Sequence, residues 1–142
     1  MHTLRQLLGS KSPEVYAVAP ADSVITAILM MAEKGVGAVL VMDGARLVGI
    51  VSERDYARKV VLHGKSSSDT SVRDIMTAEV VTVSPSQTVE QCMQIVTDHR
   101  IRHLPVVDKD EVIGVISIGD LVKAVIEDQK AQLEQLQRYI AS

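Results

Sequence analysis

Apolar positions along the chain change period repeatedly, and each change marks a new element. Leu4, Leu7 and Leu8, between Thr3 and Gly9, give one or two amphipathic turns. After a polar loop at Lys11 to Glu14, Val15 to Val18 read as a short strand closed by Pro20, which has no N–H to give a ladder. Asp22 or Ser23 caps a helix whose Val24, Ala27, Ile28, Met31 and Ala32 recur at i, i+3, i+4, i+7 and i+8, one buried stripe ended by Gly35. Val36 to Met42 is apolar nearly throughout, Asp43-Gly44 is a hairpin turn, and Arg46 to Val51 returns as the partner strand. Ser52 opens a helix through Tyr56, Val60 and Val61 to Gly64.

The pattern then starts again. Lys65 to Ser71 is polar and short, with the composition of a linker. Beyond it Ser71 to Met76 resembles Thr3 to Leu8, and from Val15/Val80 to Val60/Val125 the chain repeats without a gap at an offset of 65 (114 minus 49). Of the identical pairs, Pro20/Pro85, Asp43/Asp108, Gly49/Gly114, Ser52/Ser117 and Asp55/Asp120 sit at turns and caps, where geometry or chemistry dictates residue type. The expected organisation is one domain at 1–64, a linker at 65–70, a second domain at 71–128 and a helical extension at 129–142. Each unit would be α+β, a strand, helix, hairpin and helix. A three-stranded sheet covered on one face is marginal alone. The two units are therefore expected to pack sheet to sheet about a pseudo-two-fold axis, with clefts bordered by strand ends and helix starts.

Composition narrows the chemistry. Apolar residues make up 46% of 142, yet there is no Trp or Phe and only three Tyr, so the core must be aliphatic and no aromatic platform exists for stacking bases. A net charge of −3 argues against nucleic acid as a partner. Cys92 is the only cysteine, which excludes an intramolecular disulfide and points to the cytoplasm. No apolar run approaches the ~20 residues a bilayer demands, so no membrane partner is expected.

The repeated stretch Gly49-Ile50-Val51-Ser52-Glu53-Arg54-Asp55 and its echo Gly114 to Asp120 carry the candidate chemistry. Each ends a β-branched run at a serine and opens a helix, with an aspartate one turn in. Helix-start N–H groups attract phosphate, and a fixed carboxylate can accept both hydroxyls of a ribose. A serine followed at the third position by an acidic residue is also a plain capping box, and that alternative stands beside the first.

With the strand-Pro-x-x-Ser/Thr-Val run, the apolar helix, the hairpin Arg102-His103-Leu104-Pro105-Val106-Val107-Asp108 and Gly-apolar-apolar-Ser-x-x-Asp, the chain resembles a tandem pair of cystathionine-β-synthase (CBS) domains from Thr3 to Asp128. Ser52 to Lys59 with Gly64 to Ser67 further resembles stand-alone CBS-pair proteins. The resemblance implies a regulatory module that binds an adenine nucleotide (AMP, ATP or NAD, with ADP and S-adenosylmethionine also known in the family) and has no catalytic cofactor. It assigns the ribose to Asp55 and Asp120, phosphate to Ser52 and Ser117, and the adenine slots to Val15, Tyr16 and Ala17 and to Val80, Val81 and Thr82. The basic residues differ between copies. Arg100, Arg102, His103 and Pro105 in the second stand against Gly35, Gly37, Ala38 and Leu40, while Arg54 in the first stands against Gly119. One cleft should therefore suit phosphate better than the other.

Other chemistry is weaker. His99 and His103 straddle a helix end and a strand start, with no third metal ligand nearby. Cys92 aligns with Ala27 on the buried stripe and reads as a core residue. No nucleophile elbow is present, so an enzyme is the least supported reading. The last helix carries Val122, Ile126, Leu133, Leu136 and Ile140 on a heptad-like seam with Gln129 at the missing step, either an ordinary helix face or a dimer contact. A homodimer acting on an unknown target is the expectation, and a ligand-free dimerisation scaffold the alternative.

Overall fold

The computed structural model describes residues 2–9 and 15–141; the loop expected at Lys11 to Glu14 lies outside them. Elements follow in the order α1 (Leu4–Gly9), β1 (Ala17–Val18), α2 (Val24–Lys34), β2 (Ala38–Asp43), β3 (Arg46–Ser52), α3 (Glu53–Tyr56), α4 (Val89–His99), β4 (His103–Asp108), β5 (Glu111–Ser117) and α5 (Ile118–Ala141). A π-helical turn spans Ala57–Val61 and a 3-10 turn Val72–Asp74. Among the described residues, one compact unit runs from 15 to 81 and the other joins 2–9 to 82–141.

In the first unit β1 lies parallel to β2, and β2 pairs antiparallel with β3. The stripe read from the sequence is the buried face of α2: Val24, Ala27 and Met31 pack with Val18, Val39, Val41, Val51 and Val60 in an aliphatic core, with Tyr16 and Tyr56 packed against it. In the second unit α4 buries Val89, Cys92 and Val96, and β4 pairs with β5. Its leading strand contracts to a single bridge, Val83 to Val106. The cause is Pro105. In the first unit Leu40 N donates to Tyr16 O at 3.0 Å, and Pro105 at the matching place has no N–H to donate.

The units do not follow the halves of the repeat. Leu4 N and Arg5 N donate to Gln87 O and Pro85 O, and Val89 N donates to His2 O. In the other unit Val72 N and Arg73 N donate to Asp22 O and Pro20 O, and Val24 N donates to Thr70 O. These are the same bonds, so each leading segment packs on the repeat copy it does not introduce. In the packing units, 71–81 belong with 15–64, and 2–9 with 82–141.

Close packing enforces the exchange. A Cβ on Gly114 would lie 2.6 Å from Leu8 Cδ2, and one on Gly49 would lie 2.5 Å from Met76 Sδ and 3.1 Å from Thr77 O. A bare backbone at these strand positions lets the leading segments in.

The expected linker is structural too. Carbonyls of Thr70 and Ser67 accept from Val24 N and Ile25 N at 2.8 and 2.9 Å, capping α2, while Thr70 Oγ1 donates to Ser66 O at 2.6 Å. Ser23 accordingly makes no side-chain cap bond, whereas Thr88 and Gln91 form a full capping box at α4. The helix expected from Ser52 to Gly64 breaks into α3 and the π turn, where Leu62 N reaches back five residues to Ala57 O.

Candidate functional site

Each candidate site is built where a strand passes into a helix. At the end of β3, Ser52 Oγ accepts from Asp55 N at 3.2 Å, and Asp55 Oδ2 accepts from Ser52 N at 2.9 Å and from Ser52 Oγ at 3.0 Å. At the end of β5, Ser117 Oγ accepts from Asp120 N at 3.1 Å, and Asp120 Oδ2 accepts from Ser117 N at 2.9 Å. Both are reciprocal capping boxes, so the geometry of the plain alternative is realised in each copy. It commits one carboxylate oxygen and fixes the rotamer, so the other oxygen is held in place. The first helical N–H also finds a partner: Glu53 N donates to Gly37 O at 3.0 Å and Ile118 N to Arg102 O at 2.8 Å.

Surroundings of the two differ. Asp55 Oδ1 sits 3.3 Å from Lys59 Nζ, which also donates to Ile75 O at 2.8 Å. The sequence reading left Lys59 out of the site, although an aspartate and a lysine four apart on one helix face are a recognisable pair. The second copy has Ala124 there, buried. Antiparallel register sets His103 across from Ser117, and Ala38 across from Ser52. Arg102 brings its backbone to the start of α5 and keeps its side chain exposed.

The remaining candidates divide by unit. Val15, Tyr16, Ala17, Ser52, Arg54 and Asp55 share one unit and all are half-buried. The Tyr16 ring packs against the core cluster with Lys34 Nζ 5.5 Å from its centroid, so it is partly occupied by its own protein. Arg102, His103, Pro105, Ser117, Asp120 and Thr82 share the other unit, with Pro105 buried. Val80 and Val81 fall in the first unit, so the second expected slot trio is split.

Cys92 lies fully buried, and burial pushes its thiol from 9.0 up to about 11, the state of an inert core residue. Among the described residues no cluster of three or more His, Cys, Asp or Glu could hold a metal ion. Among the described residues no helix is long and apolar enough to cross a membrane.

Comparisons with known proteins agree on one family. The CBS domain model matches twice, at residues 7–62 and 72–127. The mitochondrial CBS domain-containing protein CBSX3 of Arabidopsis thaliana is 44% identical over 124 residues, 84% of this chain and 60% of that protein's length. A protein with CBS domains from Burkholderia ambifaria superposes with a TM-score of 0.87 at 55% identity, covering 90% of this chain and 96% of that one. CBSX2, solved in complex with AMP, superposes with a TM-score of 0.73 at 27% identity, over 91% and 99% of the two chains. Two family matches, one per repeat copy, and an α+β fold shared with solved relatives lead to one conclusion: this chain belongs to the CBS-domain family, as a tandem pair of CBS domains.

Proposed function

We propose that the chain is a regulatory module that binds an adenine nucleotide of the AMP, ATP or NAD type and passes its occupancy to a partner protein. The observation that carries this reading is the duplicated handover: at Ser52 and again at Ser117 an aspartate one turn into the helix is locked by one carboxylate oxygen onto the serine, which fixes the place of the whole carboxylate. A carboxylate already ordered loses little rotamer freedom on meeting a ribose diol. CBSX2 in complex with AMP supports the ligand class by family likeness. In this reading Asp55 and Asp120 take ribose; Ser52 and Ser117, with Arg54 and Arg102, take phosphate; Val15, Tyr16, Ala17, Val80, Val81 and Thr82 border the adenine, beside His103 and Pro105. The module works without catalysis, as a homodimer in the cytoplasm; the hexameric CBS-CP12 protein, 26% identical, is an assembled relative.

Complete capping boxes favour a second reading, a scaffold in which Ser52/Asp55 and Ser117/Asp120 only start helices. A thermal-shift panel of AMP, ATP, NAD, NADH and S-adenosylmethionine separates the two. A nucleotide at about a hundred times its dissociation constant adds ~2.7 kcal/mol, a rise of a few degrees. A flat response to all five at millimolar concentration leaves the scaffold.

A further inference from the structure

We propose that the distal part of α5 is a self-association surface on which a second copy of this chain docks as a parallel two-stranded coiled coil, Gln129 against Gln129. This rests on the homodimer reading above and gives it a location. From Gln129 to Ala141 every described residue of α5 is exposed. A lone helix of roughly a dozen residues is marginal in water, and an amphipathic face usually gains its stability from packing.

The exposed aliphatic residues from Val122 onward fall on one seam, with Tyr139 flanking it. Ile126, Leu133, Leu136 and Ile140 are exposed by 46%, 56%, 54% and 75%. With Val122 and Gln129 they are spaced by 4, 3, 4, 3 and 4, a period of 3.5 that stays on one line only when two helices wind around each other. Gln129 identifies the partner. Buried against an unrelated apolar groove, its amide would be left without a mate. In a parallel pair each such position faces its own counterpart, so one Gln129 amide donates to the other; in an antiparallel pair it would face leucine. Flanking residues permit that register, since Val125 comes opposite Lys130 of the second copy and Gln132 opposite its Gln137, with no like charges meeting. The seam and its flanks bury roughly 1,000 Å² over both copies, at the low end for specific complexes, so the association is reversible.

Sedimentation velocity of the full chain over roughly 1–500 µM gives the test, with Leu133→Asp/Leu136→Asp beside wild type. Both positions are exposed, so the variant keeps the melting temperature of dilute wild type and loses about a hundredfold in association, as two charges enter the seam. Gln129→Cys is expected to form an interchain disulfide under mild oxidation and Ala131→Cys, on the outer face, to form none; Cys92 is buried and does not compete. A wild type that stays monomeric throughout sinks both the homodimer and this surface. A wild-type dimer matched by the double variant keeps the homodimer and overturns this location. Equal cross-linking at 129 and 131 overturns the parallel register.

Discussion

At Ser52 the carboxylate of the handover shares its second oxygen with Lys59, and the strand opposite presents Ala38 and Gly37. At Ser117 the lysine is replaced by buried Ala124, and the strand opposite presents His103 and Arg102. The Asp-to-Ser backbone bond is 2.9 Å in both copies. Duplication has kept the residues that set backbone geometry and varied those around them. In the first copy an internal cation, Lys59, pairs with the second carboxylate oxygen; in the second, His103 and the Arg102 backbone lie beside the start of the helix. The two candidate sites share the same serine–aspartate geometry and differ in the groups beside it.

The sharpest difference in stability is expected at the paired glycines. Gly49→Ala drives a methyl into Met76 and toward the Thr77 carbonyl, which is backbone and cannot yield, and should cost about 2–3 kcal/mol in urea unfolding. Gly114→Ala meets the flexible end of Leu8 and should cost about 1 kcal/mol. Equal costs, or the reverse order, would show that the leading segments do not pack as described.

Cys92 against Ala27 separates the copies by pH. Burial favours the neutral thiol, so the folded thiol gives up its proton near 11 and the unfolded one near 9.0. Between those values the unfolded chain holds fewer protons, and stability falls as pH rises, by up to about 2 kcal/mol. Cys92→Ala should flatten that slope in unfolding curves recorded across the window; an unchanged slope assigns it to other groups.

Smaller effects follow at the helix ends. Gly35 and Arg100 occupy the same left-handed cap, at φ of 66° and 54°. Arginine is strained there, so Arg100→Gly should stabilise by about 0.5–1 kcal/mol, with any loss of nucleotide response marking what the strain maintains. Lys59→Met releases Asp55 Oδ1 and should tighten adenosine at the first copy by roughly two- to fivefold in calorimetric titration, the modest scale of a part-exposed pair. Weaker binding would make Lys59 a ligand contact.

Much of this was legible in the residues. Both stripe helices, both hairpins and both serine caps lie where period and cap chemistry put them, and the offset of 65 announced the tandem fold. The exchange of leading segments was not legible, because an amphipathic turn shows that it has an apolar face and not which copy it covers. Gly49 and Gly114 were the available signal, since glycine inside a strand marks a close approach. Lys65 to Thr70 looked like a linker because it caps α2 with backbone carbonyls, which side-chain composition does not report. Pro105, with no N–H to pair, was the signal in the residues for the shortened second leading strand, but it was read only as part of the hairpin. For the π turn at Ala57–Val61 the sequence offers no physical reason.

The central claim is that the duplicated aspartates anchor ribose. Calorimetric titration of wild type, Asp55→Ala, Asp120→Ala and the double variant, using whichever of AMP, ATP or NAD gives the largest thermal shift, tests it most directly. Each lost cap costs about 1 kcal/mol, so the variants stay folded. Each single variant should lose one class of site and the double variant all binding; a double variant that binds as tightly as wild type would contradict the account.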